Sequence, residues 1–247
     1  MSENSQEYVA EIAQWRVKSG FWTLADLINN TAEVLEYDES TTRREATRMA
    51  RQIVIPLWNE QLALQQSWPQ EEKTIEEKLA VAFDSLDKNH KIPALMNFTC
   101  CRTCGVSEIG MDRTEDDAVG YAFFHEQTTE GFVKFPGSTI MIYYGTFKGS
   151  PVKCLDVGNT VVRVLRRAGL SVEWDGDTKK GIEVVCEEWR KRLIVKEGDL
   201  DEADSDYYSD DDKEGGEEEE IETEDSEMGY LSEGELSGLL QDASEPI

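Results

Sequence analysis

The sequence predicts an α+β fold: N-terminal helices, then a mostly antiparallel sheet with a packed helix, then a disordered acidic tail. Three observations carry this prediction. Apolar residues recur at helical spacing from about residue 6 to residue 90. After Pro93 the pattern changes to short alternating stretches rich in β-branched and aromatic residues. Charge is gathered at one end: from Glu197 to Ile247 there are 22 acidic residues and one basic residue, Lys213, a net −21 of the chain's −27. Residues 1–196 therefore carry only −6, and they hold all six Trp, all five Cys and both His. That is enough apolar material for one core. The expected division is a single α+β domain over 1–195, helical over about 6–90 and sheet-bearing over about 94–195. Residues 196–247 form a tail too self-repelling and too poor in apolar groups to offset the entropy of ordering.

The helices follow from spacing. Tyr8, Ile12 and Trp15 share one face. Thr23 is placed to cap a helix carrying Leu24, Leu27, Ile28 and Leu35. After the polar stretch 38–41 comes a long amphipathic run through Ala46, Met49, Ala50, Ile53, Val54, Leu57, Trp58 and Leu62. Pro56 lies inside it, so a kink or break is expected there. Trp68-Pro69 closes the run. Thr74 and Glu77 have the spacing of a capping box, ahead of Ile75, Leu79, Phe83 and Leu86.

Strands follow. Ala94 to Cys100 is short and apolar and ends in a Cys/Gly turn. Val119 to Glu126 alternates, with Tyr121, Phe123 and His125 on one face and Ala122 and Phe124 on the other. Thr128 to Gly137 reads as a connection, and Thr139 to Phe147 as a strong strand. Asp156 to Arg167 returns to helical spacing, with Gly169 suited to end it. Leu170 to Trp174 and Ile182 to Cys186 read as a hairpin around Asp175-Gly176-Asp177. Glu187 to Val195 reads as a last short helix or strand.

Composition narrows the class. No stretch approaches the roughly 20 apolar residues of a membrane span, and the polar, acidic start lacks the pattern of a secretory signal. An odd number of cysteines without framework spacing fits a reducing compartment, so an intracellular location, cytoplasmic or nuclear, is expected. The basic stretches at 163–167 and 190–192 read as solvated faces, and the acidic tail would repel phosphate. A nucleic-acid partner is therefore not expected.

Several segments carry a resemblance. Leu57 through Pro69, the helix ending Ala82-Phe83-Asp84-Ser85-Leu86, and Asn97-Phe98-Thr99-Cys100-Cys101-Arg102-Thr103-Cys104-Gly105 resemble one uncharacterised family of bacterial and fungal proteins, a domain of unknown function. Gly120 through Gln127, Tyr144-Gly145, and Val161 through Gly176 resemble its later segments. The likeness spans roughly residues 20–195 and stops before the tail. It implies a shared fold and supplies no activity. One departure stands out: Thr128 occupies a position after His125 where the family pattern implies an aspartate.

The candidate site is the Cys turn. Cys101-Arg-Thr-Cys104-Gly105 has the spacing that lets two thiolates meet one metal, and the glycine permits the tight turn. A tetrahedral zinc needs about four ligands. His125 is a candidate third, and Cys100, Glu108 or Cys154 a candidate fourth. One Cys-x-x-Cys pair is half of a zinc motif, so a metal-free packed turn stands beside the zinc reading. A thioredoxin-type dithiol is disfavoured, because the residues after Gly105 do not read as a helix. An enzyme would need His125 as base beside Cys101 or Cys104 as nucleophile, oriented by Glu126, Gln127 or Glu130.

In the tail, Ser209 and Ser232 sit in acidic contexts that suit an acidophilic kinase. Met228 to Leu240 mixes apolar with acidic residues in the manner of a docking peptide. The leading expectation is a non-enzymatic protein-interaction module with an unidentified protein partner, its Cys turn either a metal-free packed turn or a structural zinc site. The rivals are a small Cys/His enzyme and a binder of a basic partner through the acidic tail.

Overall fold

Four helices come first: α1 (Glu3–Ser19), α2 (Leu24–Glu36), α3 (Arg43–Gln66) and α4 (Ile75–His90). The structure, a computed structural model, describes residues 3–37, 41–69, 73–109, 118–147, 150–196 and 199. Three of these helices open on a threonine capping box, Thr23 with Asp26, Thr42 with Glu45 and Thr74 with Glu77. In each, the hydroxyl accepts a first-turn N–H and the carboxylate accepts the cap residue's own N–H, so donors that a helix start would orphan are satisfied. The sequence predicts the Thr23 cap and the Thr74 box; the second box follows directly on the polar stretch 38–41. Of the kink or break expected at Pro56, the break does not occur: α3 runs through it. Pro56 lies on the exposed face, while Val54 and Trp58 on either side are fully buried. Their burial, at about 1.5–3 kcal/mol per large apolar side chain, holds the helix together against a proline cost of about 3 kcal/mol.

Helices α1 to α3 enclose one core, in which Leu24, Leu27, Leu35, Ala46, Ala50, Val54 and Trp58 are fully buried. The second core is built on a sheet of five strands, β1 (Ala94–Leu95), β2 (Tyr121–Phe123), β3 (Thr139–Gly145), β4 (Val172–Glu173) and β5 (Ile182–Val185). Their order is β1-β2-β3-β5-β4. Among the described strands, β1 and β2 pair in parallel and the other three pairs are antiparallel. The fold is α+β with a mixed, mostly antiparallel sheet, and the expected hairpin is β4 with β5.

Two helices lie where the sequence predicts none: α5 (Arg102–Glu108) directly after the Cys turn, and α6 (Glu126–Lys134) in the stretch read as a connection. Both are rich in Thr, Ser, Val or Gly, which favour helix weakly. Tertiary contacts hold them instead. Gly105 of α5 lies against the Phe123 ring, and α6 buries Thr129 and Phe132. The expected strand over Val119 to Glu126 shortens to β2, because α6 takes over at Glu126.

The alternation in β2 is as predicted. Ala122 and Phe124 join Ile140, Ile142, Ile182 and Val184 in the core beneath α4 and α7 (Pro151–Arg167). Tyr121 and Phe123 face the other way, with Phe98, Ile109, Tyr143 and Phe147. At the end of α7, Gly169 takes φ +82°. Its N–H donates to Arg166, and that of Leu170 donates to Leu165, at 3.0 and 3.2 Å. This pair of bonds satisfies the terminal carbonyls in the manner of a Schellman motif.

Residues 187–195 form neither a helix nor a sheet strand. They run as a strap with one parallel bridge, Thr23 to Ile194. Its partners are helix side chains and helix ends rather than a strand edge, which is why no ladder forms. The Leu193 N–H donates to the Gln65 side chain at 3.0 Å, and the Trp189 indole donates to the Ser19 carbonyl at 3.0 Å. Trp189 also lies at a tilt against Phe21 and Phe132, with ring centroids at 5.8 and 4.7 Å, so the strap joins the two cores. The acidic segment from Glu197 on, with Ser209, Ser232 and the 228–240 stretch, lies outside the described residues apart from Asp199. Among the described residues no helix is long and apolar enough to cross a membrane.

Candidate metal centre

The loop from Asn97 to Cys101 leads from β1 into α5 by an uncommon route. Asn97 and Thr99 both adopt left-handed backbone, φ 51° and 58°. For a β-branched threonine this conformation costs roughly 1–2 kcal/mol. The surroundings enforce it. The Phe98 N–H donates to the Phe124 carbonyl at 2.8 Å, and the N–H groups of Glu126 and Gln127 donate to the carbonyls of Thr99 and Cys100 at 3.0 and 3.4 Å. The Thr129 hydroxyl donates to Asn97 Oδ1 at 2.7 Å. The first turn of α6 thus serves as a jig for the loop. Strain held in this way is characteristic of sites that must present groups in a fixed arrangement.

The groups presented are three thiols. Cys101 is the N-cap of α5, in extended backbone, and Cys104 lies in its first turn. The Sγ atoms of Cys100, Cys101 and Cys104 all lie within 4.8 Å of one another, and Cys100 Sγ is 3.5 Å from Cys104 Sγ. Cys100 is exposed and the other two are partly so. This cluster can bind a metal ion. The thiols divide electrostatically. Cys101 is held below the usual thiol range, chiefly because the Cys104 backbone N–H faces its sulfur, although no capping hydrogen bond of standard geometry forms. Cys104 is pushed up to about 12, first by Cys100 and then by Cys101. Three crowded thiols resist ionising together, and a divalent cation removes that resistance by replacing their protons.

The helix α5 corrects one expectation. The Cys-x-x-Cys pair does stand at the start of a helix, so the argument against dithiol chemistry from the lack of a helix fails. The expected place of His125 is corrected as well. It is not on a strand but caps α6, its Nδ1 accepting the Thr128 N–H at 3.2 Å. His125 is only 5 % exposed and lies parallel to the Tyr143 ring at 5.0 Å. It is not part of the thiol group. Nor are Glu108, exposed at the far end of α5, and Cys154, on α7. Gln127 is exposed, and Glu130 is paired with Lys134 at 2.8 Å. Two neighbours of the site are not legible as such in the sequence. Arg102 lies over the Tyr143 ring at 5.0 Å, and Tyr143 is opposite Phe123 in the β2–β3 register. The strand alternation that aligns Phe123 with His125 is the only sequence signal for this stack.

Burial, and after it the positive charge of Arg102, holds the His125 imidazole below its ordinary pKa. Protonation at Nδ1 would also break the cap. The unfolded chain therefore takes up the proton first, near pH 6.5. The stabilising contribution is full above that pH and is lost as the pH falls from there toward the lower folded value. Denaturant midpoints at about pH 7.5 and pH 5.5, spanning the ordinary histidine range, are expected to drop further in the wild type than in His125→Gln. Equal drops would show that His125 is not coupled to folding.

A family model described as Domain of unknown function (DUF6891) matches residues 2–193. No curated protein and no solved structure gives a match.

Proposed function

This chain belongs to the DUF6891 family over its whole α+β domain, and from that premise we propose that it is a non-enzymatic interaction module whose Cys100, Cys101 and Cys104 bind one structural zinc ion. The observation that carries the reading is the convergence of three sulfurs within 4.8 Å on a strained and fully braced loop. Soft thiolates select zinc among the common divalent ions. Tetrahedral zinc takes four ligands, and Cys100, Cys101 and Cys104 would supply three of them. Support for a non-enzymatic role comes from His125, the candidate base. Its Nδ1 is engaged in capping α6, and its ring is turned into the Tyr143 stack.

The test uses the full chain purified without chelator. Elemental analysis is expected to find about one zinc per chain. Cobalt substitution should give a sulfur-to-metal charge-transfer band. Cys104→Ser is expected to lower zinc affinity by more than about 100-fold, since even loss of a supporting outer group costs 10–100-fold. Neither zinc nor a cobalt band, in protein whose thiols titrate as reduced, would overturn the reading.

The same geometry favours a second reading. With Cys101 the more acidic thiol and Cys104 in the same helical turn, the pair could exchange with a disulfide. The Cys101 thiolate would attack, and Cys104 would then displace the mixed disulfide. Treatment with oxidised glutathione would yield a Cys101–Cys104 bond and two reduced glutathiones, a loss of two hydrogens from the chain. Finding that product in metal-free protein, with zinc absent, would favour this reading.

A further inference from the structure

Away from the thiols, at the opposite end of β2, the fold forms an open cleft of about 410 Å³. That volume falls in the range of small-molecule sites, about 300–1,000 Å³. Its walls come from the end of α4, the approach to β2, the exit of β3 and the first turns of α7. Ile92, Ala118 and Val157 form an apolar floor, each of them buried in the core. Phe147, just past β3, adds an aromatic wall.

The polar groups gather on the α7 side. Ser150 is the N-cap of α7, but its side chain makes no capping bond. The first helical hydrogen bond runs from the Cys154 N–H to the Ser150 carbonyl at 2.8 Å. The N–H groups of Val152 and Lys153 therefore come before the ladder begins, at the positive end of a 17-residue helix. Lys153 lines the cavity and adds a full positive charge. Thr146, also in the lining, has an enclosed hydroxyl without a hydrogen-bond partner. Asp156 lies on the same wall, one turn beyond Lys153. It sets a limit on the ligand, because a large negative charge reaching that far would be repelled.

We infer that this cavity binds a small molecule carrying one oxyanion group, a carboxylate or a phosphate ester, on an apolar body. The oxyanion lies between Lys153 and the first turn of α7, and the body lies on the floor of Ile92 and Val157. The site is independent of the thiol cluster and stands or falls without it.

Calorimetry on the full chain with four probes tests the inference: benzoate, phenyl phosphate, phenol and inorganic phosphate. Saturable binding of benzoate or phenyl phosphate is expected, at least about 10-fold tighter than phenol and inorganic phosphate, which each lack one half of the ligand. Which of the two anions binds tighter identifies the oxyanion. Lys153→Glu changes an exposed residue and is expected to weaken the anion by about 10-fold or more without altering the melting transition. Thr160→Trp, which fills the cavity from its rim, is expected to abolish binding. The inference is overturned if neither anion binds saturably, if phenol binds as tightly as both anions, or if both variants bind like the wild type.

Discussion

Replacing Phe124 with alanine is expected to destabilise the domain by about 3–5 kcal/mol, the range for deleting a buried phenylalanine. Phe124 is fully buried, and its ring makes edge contacts with Phe21, Phe83 and Phe132 at 6.1, 6.2 and 6.0 Å. Phe83 belongs to α4, Phe132 to α6, and Phe21 to the turn between α1 and α2. One side chain therefore touches the helical layer, the helix beneath the sheet and the helix that braces the Cys loop. Its backbone is committed too: its N–H donates to Leu95 and its carbonyl accepts from Phe98. The cavity left by alanine has no single neighbour able to collapse into it. A fall in the denaturant midpoint at nearly unchanged slope is the expected signature. A loss below about 1 kcal/mol, the scale of a surface substitution, would mean that the two layers do not depend on this contact.

A second large effect is expected at Gly105, with the opposite sign to what helix propensity suggests. A Gly→Ala change inside a helix ordinarily stabilises by up to about 1 kcal/mol. At Gly105 the added methyl would collide with the Phe123 ring, at 2.6 Å from Cζ and nearer still to Cε2. That ring cannot retreat. It is fully buried and surrounded by Phe98, Tyr121 and Tyr143, with centroids at 6.0, 6.1 and 5.8 Å. Helix α5 must lift instead, and overpacking of this kind costs about 1–3 kcal/mol. Lifting α5 carries Cys104 with it. Gly105→Ala is therefore expected to lower the melting temperature and, at the proposed zinc site, to weaken zinc binding by about 10-fold or more. Gly131 supplies the contrast. It is also inside a helix, α6, but a methyl there meets nothing within 4 Å, so Gly131→Ala is expected to stabilise by about 0.5–1 kcal/mol. If both alanines moved stability the same way, the close approach of α5 to Phe123 would not be what holds that helix in place.

The candidate site was half legible in the sequence. Two-residue spacing marks Cys101 and Cys104, because a turn of that length puts two sulfurs on one side. The convergence of Cys100 is less readable. It requires the left-handed Thr99, a conformation that local preference opposes and that bonds from Phe98, Glu126, Gln127 and Thr129 hold in place. His125 shows the reverse case. As a residue type it is the natural third ligand, yet burial and the need of α6 for a cap direct its nitrogen to Thr128.

What the sequence by itself determined is everything that rests on repetition along the chain. The helical character of the N-terminal part, the Thr23 and Thr74 caps, the two faces of β2, the β4–β5 hairpin and the Gly169 stop all follow from spacing and from residue types with strong local preferences. The tertiary structure decided what local preference leaves weak. It made helices of Arg102–Glu108 and Glu126–Lys134, kept α3 whole through Pro56, and drew residues 187–195 into a strap. In each case the free energy of packing, a few kcal/mol per large buried side chain, exceeds a propensity difference of at most about 1 kcal/mol per residue, or about 3 for proline. The three thiols meet for the same reason: the Cys turn is aligned by the helix start packed behind it, residues distant in the sequence that only the folded chain brings alongside.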